Sequence, residues 1–270
     1  MIFKLIKYVS ILLSIIVFIY LNNNWITTTN HKVNSPDIPT AFDGYRIVQV
    51  SDLHDATFGE NQQRLVKKVK QAKPDLIVIT GDLVDSRRYD LPNSLDLVNQ
   101  LVKLADVYYV TGNHEVATND VELIKRELKA LGVQVLSNET ISLEHGNDSI
   151  AISGIEDPLM GQTASEMLAE AEIRSDVFTL LLAHRPEDFQ TYEEFEIDLT
   201  FSGHAHGGQF RIPFVGGLIA PGQGFFPEFT TGIHEKEQSK LVISRGLGNS
   251  ILPLRLFNLP EIVVVTLQIS

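Results

Sequence analysis

The chain has 270 residues, a formal net charge of −12 and no cysteine. That length suits one large core, and the acidic balance argues against electrostatic binding of extended nucleic acid. Without a thiolate, copper(I) sites and iron–sulfur clusters are excluded, and an anionic substrate would have to be attracted by local rather than global charge.

In chain order the first feature is Ile2 to Leu21, apolar except for Lys4, Lys7 and two serines. At helical rise such a run is about 30 Å long, the thickness of a bilayer core. Lys4 and Lys7 precede most of the apolar residues while Asn22, Asn23 and Asn24 follow them, so the positive-inside rule places the remainder outside the cytoplasm. LNNNWITTTN holds no small-x-small cleavage site, which favours an uncleaved anchor. Trp25 to Phe42 is polar, contains Ser35-Pro36 and Ile38-Pro39, and reads as a tether without a strand. The expected division is an anchor over 1–24, a tether over 25–42 and a catalytic domain over 43–270.

Within the domain, apolar runs that read as strands each end on polar side chains: YRIVQVSDLH, DLIVITGDLVD, VYYVTGNHE, VFTLLLAHRP and DLTFSGHAHGGQ. Between them Gln62 to Ala72, Pro92 to Leu104 and Val121 to Leu131 carry apolar residues at helical spacing, the last with Asn119 and Glu122 as a capping pair and Gly132 as a stop. Thr163 to Ala171 is a weaker helix. SIAISG, KLVISRG and EIVVVTLQI supply further strands. Strand–helix alternation implies parallel pairing in the first half.

The strand ends deliver Asp52, His54, Asp82, Asn113, His114, His184, His204 and His206. In layered α/β folds the carboxyl ends of neighbouring strands converge, so side chains remote in sequence can meet there. One ion would be held by Asp52, His54 and His206, a second by Asn113, His184 and His204, with the two oxygens of Asp82 bridging them. Water trapped between two cations loses a proton near neutral pH and becomes a nucleophile. A single His or Asp after a strand is usually a capping, turn or core residue, but capping does not call for Asp-x-His, Asn-His and His-x-His together. His31, His145 and His234 fit no such group and read as solvated loop residues. Imidazole with carboxylate and amide oxygen suits manganese, iron or zinc.

These blocks resemble the calcineurin-like metallophosphoesterases: Asp52-Leu53-His54, Gly81-Asp82, Gly112-Asn113-His114-Glu115, His184 and Gly203-His204-Ala205-His206 occur in the family's order from about Arg46 to His206. GHAHGGQFRIPFVGG and SRGLGNSILPLRLFNLPEI look like a membrane-associated branch that includes UDP-2,3-diacylglucosamine pyrophosphatase-like enzymes. The resemblance implies a four-layer α/β/β/α sandwich of two mixed sheets and two metal ions, with manganese the first choice. It also makes His114 the catalytic general acid, which protonates the leaving oxygen; the alternative role is to orient Asn113. The implied activity is hydrolysis of a phosphodiester or pyrophosphate, of a cell-envelope or lipid-linked substrate at the membrane. A phosphomonoesterase of the same fold is the nearest alternative, and a catalytically silent metal-stabilised binding protein is the alternative of another class.

Gly207 to Ile233 is rich in glycine, proline and phenylalanine and reads as an irregular insertion beside the last ligands. Its aromatics either pack the loop down or form an apolar wall for a lipid-linked phosphoester. Arg245, in the glycine-rich SRGLGNS, is a candidate for binding the substrate phosphate.

Overall fold

The computed structural model describes residues 2–250 and 254–270; Ile251, Leu252 and Pro253 of the SRGLGNSILPLRLFNLPEI stretch lie outside them. Helix α1 (Ile2–Asn24) leads into strand β1 (Thr27–Ser35). Strands β2 (Arg46–Val50), β3 (Leu76–Thr80), β4 (Asp106–Val110) and β5 (Gln134–Val135) then alternate with helices α2 (Gln63–Ala72), α3 (Leu91–Leu101), α4 (Asn113–Ala117) and α5 (Val121–Ala130). After β6 (Glu139–His145) and β7 (Asp148–Gly154) come α6 (Ala164–Glu170), β8 (Thr179–Leu182), α7 (Phe189–Glu194) and β9 (Leu199–Ser202). Short strands β10 (Arg211–Ile212), β11 (Gly216–Gly217), β12 (Ile219–Ala220) and β13 (Gly224–Phe225) precede β14 (Gly232–Lys236), β15 (Ser239–Ile243) and β16 (Glu261–Ile269).

The long strands form two six-stranded sheets, ordered β1-β16-β2-β3-β4-β5 and β14-β15-β9-β8-β7-β6. Both are mixed: β2 to β5 run parallel while β16 opposes β2, and β7, β8, β9 and β15 run parallel while β6 and β14 oppose their neighbours. Because strand side chains alternate between faces, Ile47, Leu76 and Val78 meet Ile152, Leu180 and Phe201 between the sheets. Val48, Ile77 and Ile79 point the other way, onto Leu65, Val69, Leu97 and Ile124 of α2, α3 and α5. Met167, Leu168 and Tyr192 of α6 and α7 cover the outer face of the second sheet. The four layers are thus α/β/β/α, and the strands are apolar on both faces because both faces are covered.

Helix starts follow local chemistry. Thr163 and Glu166 form a reciprocal capping box on α6, and the Asp90 side chain accepts from the Asn93 amide on α3. The expected cap of α5 differs: Asp120 is the N-cap, without a side-chain hydrogen bond, and Asn119 is left-handed at φ 61. The turn is closed by backbone conformation instead.

The larger correction concerns the tether. Thr27–Ser35 is not a free linker but the edge strand of the first sheet, paired in parallel with β16 from Thr27↔Glu261 to Ser35↔Ile269. Its polar residues face outward, which suits an edge, and only Val33 is buried. Removing residues through Leu21 should therefore release a soluble, monodisperse domain. Removing them through Ser35 should instead give aggregates on gel filtration, since it bares the EIVVVTLQI edge.

Candidate metal centre

The carboxyl ends of β2, β3, β4, β8 and β9 meet at one rim and bring the sequence-predicted ligands together. His54 Nε2 and His206 Nε2 lie 3.0 Å apart, and Asp52 Oδ1 is 3.5 Å from His206 Nε2. Asp82 Oδ2 is 3.5 Å from His54 Nε2 and 3.3 Å from His184 Nε2, while His204 Nδ1 is 3.2 Å from His184 Nε2. Two groups therefore share Asp82: Asp52, His54, Asp82 and His206 on one side, and Asp82, His184 and His204 on the other. All of these side chains are buried. The sharing differs from expectation in one respect: the same oxygen, Oδ2, faces both groups, because Oδ1 accepts the His114 amide at 2.8 Å.

The local backbone is bent to make this possible. Asp52, His54, Asp82, His204 and His206 all have positive φ, between 47° and 64°. Left-handed residues with a Cβ cost about 1–3 kcal/mol each and persist where the surroundings over-determine them. The glycine before Asp82 is equally constrained: at φ 84° a Cβ on Gly81 would lie 2.6 Å from His184 Nδ1 and 2.7 Å from the Gly112 amide. His184 Nδ1 lies 2.7 Å from the Thr80 carbonyl, which fixes the ring and turns Nε2 toward Asp82.

Charge in this cage is poorly balanced. Burial pushes the Asp52 carboxyl up to about 6 and His54 down to about 3. For His184 burial also opposes charge, but Asp82 overrides it and lifts the imidazole to about 10. Asn113 Oδ1 is buried without a hydrogen-bond partner among the described residues, an arrangement that needs an explanation. Nitrogen and hard oxygen donors facing a common centre, with an orphaned amide oxygen beside them, fit two divalent cations.

Several supporting residues were not singled out by sequence reasoning. Glu115 is buried and its carboxylate accepts the amides of Gly112, Asp82, Leu83 and Val84, locking the β3 and β4 ends together; burial raises its pKa to about 7. Glu115→Ala would strand those buried donors, at about 1–3 kcal/mol for each left unsatisfied, and should lower the urea midpoint markedly. Arg255 is also buried: it donates to the carbonyls of Gly248 and Arg245, with Nη2 3.4 Å from His206 Nδ1. Arg185 grips Asp157 with two hydrogen bonds and sits 3.5 Å from His204 Nε2. None of these lies in a metal-ligand pattern, although Glu115 ends the Gly-Asn-His-Glu block.

His114 lies beside the first group, its ring edge-on to His54 at 4.4 Å, and forms a third cluster with His54 and Asp85, whose Oδ1 is 3.9 Å from its Nδ1. The Ser86 amide donates to its Nδ1 at 3.1 Å, and Ser250 Oγ is 3.3 Å from its Nε2. Arg245 has a different partner from the one expected. Its guanidinium donates to Glu261 at 2.6 Å and to Thr27, and its amide donates to the same carboxylate, so it ties β15 to β16 and β1. His145 lies against Tyr45 and His234 against Phe229, while His31 is on β1, all outside the cluster. Beside His206 opens an apolar cavity of about 420 Å³, lined by Ala205, Gln209, Ile219, Ala220, Pro221 and Ser250.

Residues 45–208 match the model of the calcineurin-like phosphoesterase family. The uncharacterised metallophosphoesterase YkuE of Bacillus subtilis is 33% identical over 92% of this chain and 88% of its own. The phosphodiesterase YaeI of Escherichia coli is 29% identical over 83% of this chain and 82% of its own. A transmembrane protein with a metallophosphoesterase domain from Danio rerio is 29% identical over 86% of this chain and 55% of its own. The chain belongs to the calcineurin-like phosphoesterases. It is a metal-dependent phosphoesterase that uses divalent ions, and its first helix is long and apolar enough to cross a bilayer.

Proposed function

We propose that the protein is a binuclear phosphodiesterase or pyrophosphatase, anchored in the membrane with its domain outside the cytoplasm. The observation that carries this reading is the single oxygen of Asp82 facing both ligand groups. Asp52, His54 and His206 would hold one ion and Asn113, His184 and His204 the other, with manganese favoured by the mixture of nitrogen and oxygen donors. Bound there, the two ions would supply an activated water and neutralise charge on the non-bridging phosphate oxygens.

The protein's own groups do the rest. Asp82 Oδ1, by accepting the His114 amide, sets the position of that residue at the rim. The Ser86 amide, 3.1 Å from Nδ1, orients the ring and leaves Nε2 as the atom that meets the leaving group when the imidazole is protonated. His114 Nε2 would give that proton to the leaving oxygen as charge develops on it. The apolar cavity beside His206 suits a substrate with a hydrocarbon substituent, such as a lipid-linked envelope phosphoester, and similarity to YaeI favours a diester.

Metal analysis of the purified protein should find roughly two ions per chain, and chelation should reversibly abolish hydrolysis of bis(4-nitrophenyl) phosphate. At most one weakly held ion with activity intact would sink the binuclear reading. For orientation, a carboxyl-terminal alkaline phosphatase fusion should be active outside the cytoplasm while the protein stays full-length in the membrane fraction, because Lys4 and Lys7 mark the inner side. A reporter active only inside the cell would reverse the topology.

A further inference from the structure

Helix α1 does not simply lead out of the domain; its end is built into the loops around the metal cluster. Asn23 Oδ1 accepts the Arg255 amide at 2.9 Å and a hydrogen bond from Asn249, while Asn22 Oδ1 accepts the Asn258 amide at 3.4 Å. Arg255 and Asn258 in turn touch His206, through Nδ1 and through its carbonyl. The metal-bearing rim and the foot of the anchor are therefore one surface.

That surface carries apolar side chains that the domain leaves uncovered. Phe257 is 56% exposed and its ring packs 5.0 Å from that of Phe18. Phe18 lies inside the apolar part of α1, three residues before Leu21, or about 4–5 Å along the axis. Phe257 therefore reaches past the Asn22–Asn24 collar to the depth of hydrocarbon. Next to Phe257 the β10–β11 turn presents Phe214 and Val215, 110% and 63% exposed. On another side of the same helix end, Trp25 is bordered by Arg64, Lys67 and Lys68 of α2, a cationic group on a chain of net charge −12. An interfacial tryptophan, apolar tips and lysines around one helix end match a bilayer surface with anionic headgroups.

We infer that the domain sits on the bilayer, with Phe214, Val215 and Phe257 in the acyl boundary and Arg64, Lys67 and Lys68 at the headgroups, so that the metal-bearing rim faces lipid. The occupant is the membrane rather than a protein, because the patch is continuous with the helix that crosses it. Seated this way, the cavity beside His206 opens close to the headgroup layer, and a phosphoester need not leave the membrane to reach Asp82. The inference rests on α1 being retained as an anchor.

The cysteine-free sequence permits a direct test on the full chain. Phe214→Cys and Val215→Cys, labelled with an environment-sensitive fluorophore and reconstituted in phosphatidylcholine–phosphatidylglycerol vesicles, should show blue-shifted emission quenched severalfold by spin-labelled acyl chains. Asn147→Cys, exposed in the β6–β7 turn at the end of the sheets away from the metal cluster, should remain unquenched. Retained hydrolysis of a soluble aryl phosphodiester confirms that each labelled chain is folded. A chain that floats with vesicles but leaves position 214 as wet as position 147 overturns the seating alone. A chain that fails to float overturns the anchor and the seating together, without touching the metal chemistry.

Discussion

His114→Ala is expected to lower kcat by roughly two to four orders of magnitude, the usual span for a general acid, with both metal ions still bound. The reason is geometric: the His114 ring touches His54 but belongs to neither group around Asp82, and its amide, which the substitution leaves intact, is what holds Asp82 Oδ1. Aryl esters with strongly acidic leaving groups should lose far less, since they depart without protonation. The comparison of 4-nitrophenyl with alkyl diesters by steady-state kinetics, alongside metal analysis, checks both halves. Loss of an ion on His114→Ala would show that the side chain is a ligand and that the proton comes from elsewhere.

Asp82→Ala should be the most damaging substitution in the centre. It removes the one oxygen that both groups share and the acceptor of the His114 amide, and leaves His184, raised to about 10 by that carboxylate, without its main counter-charge. Breaking a buried pair by deleting one partner costs about 3–5 kcal/mol, so the apo protein should melt several degrees lower as well. Metal content should fall below one ion per chain and hydrolysis below detection. Asp52→Ala, which deletes a member of the His54–His206 group and the acceptor of the His204 amide, should still retain the other ion. Two ions retained by the Asp82 variant would remove the bridging role.

Much of the centre was legible because metal ligands are chemically conspicuous. Asp-x-His, Asn-His and His-x-His at strand ends have no structural substitute, and the apolar runs before them fixed the strands that carry them. Residues that work through another group left no such mark. Glu115 looks like an ordinary acidic residue in a first helical turn until four amides are seen to converge on it, and Arg255 looks like a surface cation until its burial is known. Arg245 shows the converse: its glycine-rich turn points to phosphate, while the carboxylate it pairs with comes from β16, sixteen residues on. The tether was misread because TTTNHKVNS has the polar face of an edge strand, and its pairing partner lies at the far end of the sequence. The left-handed ligands, too, could not be foreseen, since nothing in Asp or His announces a positive φ.

The pairing of β1 with β16 also governs the order in which the molecule can be made. Thr27 is synthesised long before Glu261, its sheet neighbour, leaves the ribosome. Until then the first sheet lacks the strand that joins its edge, β1, to the contiguous β2 to β5. Such long-range closure slows folding, and here it waits until β16 has been made. Once closed, the ladder from Thr27↔Glu261 to Ser35↔Ile269 shares any pull arriving through α1 with the Asn22 and Asn23 contacts to the metal-bearing loops.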